Sequence, residues 1–119
     1  MKEFPITLDL VKRISNPKYQ IKQSDVDSVK FTFTLNNNDI PVDLTGTTLR
    51  MAVLNPIKEA FGQDCEITDA GMGQFECLLD ETTYHLLGDY SAEISWFTGT
   101  ETNTSYEFYF ETIESIPLS

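Results

Sequence analysis

The sequence predicts an all-β fold in which two antiparallel sheets pack face to face as a sandwich, with one short helical turn. Apolar residues occupy every second position in most segments, for example from Val29 to Leu35 and from Leu49 to Val53. This period is typical of half-buried strands. Aromatic side chains, which pack well on a pleated surface, make up 12% of the chain. Turn-forming residues recur about every 8 to 12 positions, which is the spacing of a sandwich.

The chain is long enough for one core. Its 119 residues match the size of a single folded unit. We therefore expect residues 1–119 to form one β-sandwich domain.

The first third of the chain supplies the opening strands. A long strand runs from Phe4 to Leu10, and Pro5 within it indicates a sheet edge, where a missing N–H removes no ladder bond. A short segment follows at residues 19–21, and the first central strand runs from Val29 to Leu35. Residues 36–39 predict a tight connection because Asn and Asp tolerate positive φ.

A turn-rich block leads into the middle of the chain. Val42 and Leu44 are predicted to point inwards as a short strand or plug, and Gly46 to adopt a left-handed conformation. The next strand covers Leu49 to Val53, and residues 57–63 are interpreted as a loop with little order of its own.

The two cysteines of the chain flank a glycine-rich hairpin centred near Gly71. If the pairing is symmetric about that residue, Cys65 and Cys77 lie opposite each other and a cross-strand disulfide is conceivable. Two small apolar side chains with free thiols are the favoured alternative for a protein that folds in reducing cytosol.

The last third begins with a helical turn at residues 80–88, for which Asp80 is the predicted N-cap and Gly88 the predicted C-cap. This turn is expected to bridge the two sheets. In the strand that follows, Ile94 and Trp96 are predicted to face inwards.

The closing segments complete the predicted sandwich. A turn is expected at residues 98–103, and a closing strand with Tyr106, Phe108 and Phe110 facing inwards, which can extend to Ile113.

One local pattern indicates an immunoglobulin-like sandwich. The segment Gly88-Asp89-Tyr90-Ser91-Ala92 resembles a tyrosine corner, in which a Tyr at a strand start bonds to backbone at a sheet crossing. Ala92 occupies the position where antibody domains have a cysteine, so the inter-sheet disulfide of antibodies is not expected.

The charge distribution excludes several kinds of partner. The net charge is −11, all eight Lys and Arg lie at or before Lys58, and residues 59–119 contain thirteen Asp and Glu. Such a surface repels phosphate backbones and anionic headgroups, so nucleic acid and membrane are not expected partners. A solvated acidic surface is the simplest interpretation; contact with a basic protein surface or a cation is the alternative. The charged N-terminus lacks the apolar run of a signal peptide, so we expect synthesis in the cytosol.

The sequence contains no recognisable catalytic or cofactor site. His85 is the single histidine and has no nucleophile pattern beside it, and there is no CxxC or phosphate loop. Glu107 and Glu111 lie on a predicted exposed strand face, where no environment separates their pKa values. We therefore expect no enzyme activity, no cofactor and no metal.

The outer face of two late strands is the candidate partner surface. The alternation places Phe97 and Tyr109 among the acidic residues Glu93, Glu107 and Glu111. Aromatic anchors inside a polar rim are typical of protein interfaces. Cover by a loop or by the first strand is the alternative.

Seven segments carry a further signal in their order and spacing: Ile6-Thr7-Leu8-Asp9-Leu10, Val29-Lys30-Phe31-Thr32-Phe33, Pro41-Val42-Asp43-Leu44-Thr45-Gly46, Leu49 to Val53 with Pro56, Gly73-Gln74-Phe75, Gly88-Asp89-Tyr90-Ser91-Ala92-Glu93-Ile94 and Glu107-Phe108-Tyr109-Phe110. Together they resemble the N-terminal domain of phage baseplate upper proteins, found in tailed phages and prophages of Gram-positive bacteria.

This resemblance implies a non-enzymatic structural part of the phage tail baseplate, made in the host bacterial cytoplasm and located in the virion. It implies that the domain attaches a host-recognition appendage to the baseplate core, and so contributes to host adhesion. The implied partners are other baseplate and tail proteins, and a homo-oligomer is allowed. The alternative is a carbohydrate-binding module of the same sandwich shape.

Overall fold

A computed structural model describes residues 2–115 of the chain and contains two β-sheets packed face to face. Residues 1 and 116–119 of the predicted domain lie outside the described residues. The first sheet has the order β1 (Lys2–Asp9), β3 (Val29–Asn37), β8 (Gln74–Leu78) and β7 (Glu66–Asp69), with β4 (Ile40–Pro41) also paired to β3. The second has the order β2 (Tyr19–Lys22), β11 (Phe108–Ile113), β9 (Gly88–Thr98), β5 (Thr48–Leu54) and β6 (Ala60–Asp64), with β10 (Glu101–Thr104) also paired to β9. The predicted all-β sandwich of two sheets is confirmed.

The strand pairing is mixed where the N-terminal segment joins the sheets. β1 pairs with β3 in parallel, and β2 pairs with β11 in parallel, whereas the other pairings of the described strands are antiparallel. The reason is the chain path: it leaves the first sheet after β1, crosses to the second sheet for β2, and returns for β3. Parallel neighbours require such a crossover, while hairpins give antiparallel ones.

The core lies between the sheets and is rich in aromatic rings. Phe31 of β3 is fully buried and meets Phe108 and Phe110 of β11 edge to face, with ring centroids 5.9 and 5.1 Å apart. Such edge-to-face pairs are favourable geometries for aromatic rings. The alternation predicted for β3 is confirmed, because Val29, Phe31, Phe33 and Leu35 are all at most 1% exposed.

The predicted tyrosine corner is confirmed in its local geometry. Tyr90 is fully buried, its hydroxyl donates to the carbonyl oxygen of Leu86 at 2.9 Å, and its ring stacks on Phe110 at 4.8 Å. The wider likeness to immunoglobulin domains stays a prediction.

The helical turn between the sheets is shorter than predicted. It forms helix α1 (Glu81–Tyr84), and the Asp80 carboxylate accepts from the N–H of Thr83 at 3.1 Å as the predicted N-cap. It joins β8 of the first sheet to β9 of the second, so it does bridge the sheets. The C-cap prediction is wrong, because His85 ends the helix and Gly88 begins β9.

Two segments interpreted as a loop and a turn contain strands. Residues 60–64 form β6, an edge strand that pairs with β5, and residues 101–104 form β10, which pairs with the end of β9. Their side chains are mostly exposed, so they lack the apolar alternation that reveals a half-buried strand.

A bulge explains why Tyr106 does not face inwards as predicted. The side-chain oxygen of Ser105 accepts a hydrogen bond from the backbone N–H of Ile94 at 2.9 Å. The backbone N–H of Ser105 donates to the carbonyl oxygen of Ile94 at 2.8 Å. Ser105 is therefore buried, and Tyr106 is 39% exposed beneath the Arg13 guanidinium, 4.7 Å from its ring centroid. An extra residue in one strand inverts the inward and outward positions that follow it.

Asp9, an outward position in the predicted first strand, has a structural role that the alternation does not predict. Its carboxylate is 2% exposed and accepts hydrogen bonds from the backbone N–H groups of Val11, Lys12, Asn38 and Asp39. Burial by itself raises the pKa of Asp9, but these four donors lower it to about 2. The same carboxylate thus fixes the end of β1 and the Asn38-Asp39 turn, where both residues have positive φ.

Candidate protein-binding surface

The outer face of the second sheet contains all five predicted partner residues. Glu93 and Phe97 point outwards from β9, because Tyr90, Ala92 and Ile94 of that strand are buried in the core. Tyr109 and Glu111 point outwards from β11 in the same way, and Glu107 directly precedes that strand. The pairing of Tyr109 with Ser91 places both strands' outward side chains on one surface.

A trough crosses this face where small side chains lie next to each other. Ala52 of β5 pairs with Glu93 on one side and with Gly62 of β6 on the other, and Leu54 pairs with Ser91 and Ala60. These short side chains leave a depression of about 450 Å³, which Glu93 and Glu107 also line. We call this depression the Ala52 trough. Its floor is mostly apolar, and its acidic lining comes from these two carboxylates.

The two carboxylates of the trough are not neutralised within the described chain. Among residues 2–115, no Lys or Arg side chain forms a salt bridge with Glu93 or Glu107. Glu107 accepts a hydrogen bond from the Tyr109 hydroxyl at 2.9 Å. This bond, together with the nearby negative charge, raises the pKa of Tyr109, so the phenol stays protonated and donates at neutral pH.

A second depression of about 350 Å³ continues the Ala52 trough, because Leu54, Ser91 and Glu107 line both. At its far side, the Lys18 ammonium lies 2.5 Å from a carboxylate oxygen of Asp89. The bond to Asp89 is the main cause that raises the pKa of Lys18. The surface is therefore acidic around Glu93 and Glu107, whereas Lys18, paired with Asp89, and Lys58 bring positive charge to its far end.

Three of the predicted residues line these depressions and two lie outside them. Phe97 is half-buried at the far end of β9, between its partners Thr48 and Thr102. Glu111 accepts a hydrogen bond from the Gln20 side chain at 3.0 Å. Sequence reasoning missed the trough itself, since the small residues that form it carry no signal until the strands are paired.

The described residues offer little for catalysis or metal binding. His85 lines a separate cleft with Glu59 and Asp80, and its backbone carbonyl accepts from the Gln23 side chain at 2.6 Å. Among the side chains that the structure describes, those of residues 2–80 and 83–115, no three of His, Cys, Asp or Glu are grouped to hold a metal ion. Residues 2–115 contain no helix that is long and apolar enough to span a membrane.

One comparison with known proteins identifies a family, and another identifies the fold. The family model of the BppU (baseplate upper protein) N-terminal domain matches residues 2–117. Among solved structures, the chain is similar to the N-terminal domain of phage TP901-1 ORF48, with a TM-score of 0.78 and 17% sequence identity over 94% of this chain and 98% of that one. At this identity the structural similarity establishes the fold alone. No curated protein sequence matches the chain.

Proposed function

Because the chain belongs to the family of BppU N-terminal domains, we propose that it attaches a host-recognition appendage to the core of a phage tail baseplate. The match over residues 2–117 carries this proposal. Family membership supports a structural role in the baseplate, contact with other tail proteins and a location in the virion tail. Synthesis in the host cytoplasm, a contribution to host adhesion and a homo-oligomeric state are finer parts of the proposal.

The Ala52 trough and its acidic rim are the surface proposed to bind a baseplate partner. The trough combines an apolar floor with two carboxylates that form no salt bridge in the described chain. Tyr109, which is 48% exposed, lines the depression that continues the trough and donates to Glu107. Interfaces favour aromatic anchors inside a polar rim. Unsatisfied negative charge also increases the rate of association with a positive surface.

The chemistry of the trough indicates the kind of side chain that it accepts. A partner Lys or Arg has an apolar stem and a charged end. Its stem fits against Ala52 and Leu54, and its cation then meets Glu93 and Glu107. A planar guanidinium suits two carboxylates best because it donates several hydrogen bonds in a fixed geometry.

The proposal is tested by measuring binding of the purified chain to the baseplate core protein of the same phage. The variant Ala52→Trp fills the trough, and we expect it to weaken association by about 10-fold or more. Thr32→Trp is the matched control, because Thr32 points outwards from β3 in the first sheet. That control should bind within about 2-fold of wild type, as a substitution outside the contact does.

These binding measurements test the attachment role and the proposed binding surface separately. Failure of the wild-type chain to bind any baseplate protein would contradict the attachment role. Binding by wild type that Ala52→Trp does not weaken would contradict the surface alone. Specific binding on a glycan array, lost in both Phe97→Ala and Tyr109→Ala, would favour a carbohydrate-binding module instead.

A further inference from the structure

Cys65 and Cys77 meet where the chain crosses between the sheets. Cys65 lies between β6 of the second sheet and β7 of the first, and Cys77 lies in β8. The pairs Glu66 with Glu76 and Ile67 with Phe75 define a register that, extended by one step, places Cys65 opposite Cys77. The predicted symmetry about Gly71 holds for these two pairs, whereas Cys65 directly precedes β7 and its N–H donates to the carbonyl oxygen of Leu49 at 2.9 Å. Both cysteines are free thiols.

The distance between such opposed positions suits a disulfide. Directly opposed residues of antiparallel strands have Cα atoms about 4.5 to 5.5 Å apart. Disulfides span Cα separations of about 4.4 to 6.8 Å. The Cys77 thiol lies 4.0 Å from the carbonyl oxygen of Asp64, the residue before Cys65, so no strand has to move far for the sulfurs to join.

The two thiols differ in their access to solvent. Cys77 is 2% exposed, whereas Cys65 is half-buried. The hydrogen bond with Cys65, burial and the charge of Asp64 all raise the pKa of Cys77. A dissolved oxidant therefore meets Cys65 first, and the buried Cys77 follows.

We propose that Cys65 and Cys77 form a reversible intramolecular disulfide when the folded protein meets a small-molecule disulfide such as oxidised glutathione. The Cys65 thiolate attacks one glutathione sulfur, forms a mixed disulfide and releases one glutathione thiolate. Cys77 loses its proton to solvent, attacks the Cys65 sulfur and releases the second glutathione. Two protein thiols are oxidised and one oxidised glutathione is reduced to two glutathione molecules.

The bridge has a predictable effect on stability. It closes a loop of eleven intervening residues, 66–76, and ties the crossing from β6 to β7 against β8. Closing a loop of this size restricts the unfolded chain, so we expect the melting temperature to rise by about 10 °C, reversibly on reduction.

The test exposes the purified chain to oxidised glutathione and measures its intact mass, free thiols and melting temperature. Because the last Lys or Arg is Lys58, trypsin leaves both cysteines in one peptide. Cleavage at acidic residues separates them at Glu66, Asp69 and Glu76, so only a disulfide keeps the two fragments together. The expected product is a monomer about 2 Da lighter, with no cysteine left to alkylate after unfolding.

The single variants test the order of the steps. Cys77→Ser should trap glutathione on Cys65, and Cys65→Ser should leave Cys77 as an unmodified thiol. The proposal is wrong if oxidised wild type keeps two alkylatable cysteines, or carries only a glutathione adduct. A bridged product that melts below the reduced protein would also overturn the proposal.

Discussion

The two sheets differ in how far their charged and polar groups are paired within the chain. On the outer face of the first sheet, Lys30 forms salt bridges with Glu3 at 3.2 Å and Glu76 at 2.9 Å. The outer edge of β1 is also paired, because the Asn16 side chain forms two hydrogen bonds with the backbone of Thr7. On the first sheet, the charges around Lys30 and the edge of β1 are therefore already paired, whereas Glu66 of β7, opposite Glu76, forms no salt bridge among the described residues.

In the described part of the chain, the second sheet has one salt bridge between neighbouring strands, Arg50 with Asp64 at 2.8 Å, but it leaves two carboxylates without a cationic partner. Glu93 and Glu107 border an apolar trough and pair with no Lys or Arg of the described chain. All four side chains of β10 are exposed. The difference indicates a division of roles, so substitutions in the first sheet should change stability and those on the second sheet's outer face should change binding.

The largest effect on stability is expected at Gly73, which lies at the end of the hairpin turn and directly precedes β8. Its φ is +67°, and a β-carbon there would overlap the carbonyl oxygen of Leu35 and lie 3.1 Å from that of Val42. Gly73→Ala should lower the free energy of unfolding by about 3 kcal/mol, measured by urea denaturation, because strain and a backbone clash add.

Gly46 provides the matched control for that prediction. It has the predicted left-handed φ of +74°, but a β-carbon there meets nothing within 4 Å. Gly46→Ala should cost only about 1 kcal/mol of stability, from strain alone. Equal losses for the two variants would show that the close approach to Leu35 does not determine the first effect.

The largest effect on binding is expected from reversing the acidic rim. The double variant Glu93→Lys with Glu107→Lys should weaken binding to the baseplate partner by about 100-fold, as like charges replace complementary ones. Its urea midpoint should stay near that of wild type, since both side chains lie on the outer face. Calorimetric titration measures the first quantity and denaturation the second.

Glu76→Lys tests the opposite half of the comparison. It breaks the salt bridge to Lys30 on the first sheet, so it should lower the urea midpoint slightly and leave the dissociation constant unchanged. If Glu76→Lys weakened binding as much as the double variant, the partner would contact both faces and the division of roles would be wrong.

Acid should destabilise the protein through the first sheet. The pKa of Asp9 is about 2 in the folded state against an ordinary value of 3.8, so its contribution is complete above about pH 4 and disappears as the pH falls to about 2. Asp9→Asn removes the negative charge of the side chain that accepts four backbone N–H hydrogen bonds. The urea midpoint of this variant at pH 7 should therefore be lower than that of wild type. The midpoints of variant and wild type should converge between about pH 4 and pH 2. A constant gap across that range would mean that Asp9 acts through shape and not through its charge.

The alternation of apolar residues was sufficient to predict the central strands, the core and the outward phase of Glu93 and Tyr109. It failed where a side chain replaces backbone pairing. The Ser105 side chain bonds to the backbone of Ile94 beside a bulge, and the Asp9 side chain bonds to backbone groups distant in sequence. The residues next to Ser105 and Asp9 in the sequence do not indicate these hydrogen bonds. The Ala52 trough was also invisible, because Ala52 and Gly62 become neighbours only through strand register.

The smallest effect is expected at the sealed edge of β1. Asn16 donates to the carbonyl oxygen of Thr7 at 2.8 Å and accepts from its N–H at 3.0 Å, which imitates a further strand. Asn16→Ala should lower the free energy of unfolding by about 1 kcal/mol, since the freed groups of this half-exposed site regain water. It also uncovers a strand edge, so sedimentation at high concentration should show weak self-association that wild type lacks. Ser15→Ala, at the exposed neighbouring position, should change neither quantity. If Asn16→Ala stayed monomeric with unchanged stability, the first sheet would not depend on side-chain sealing of its edge, and the contrast with the second sheet would rest on its paired charges alone.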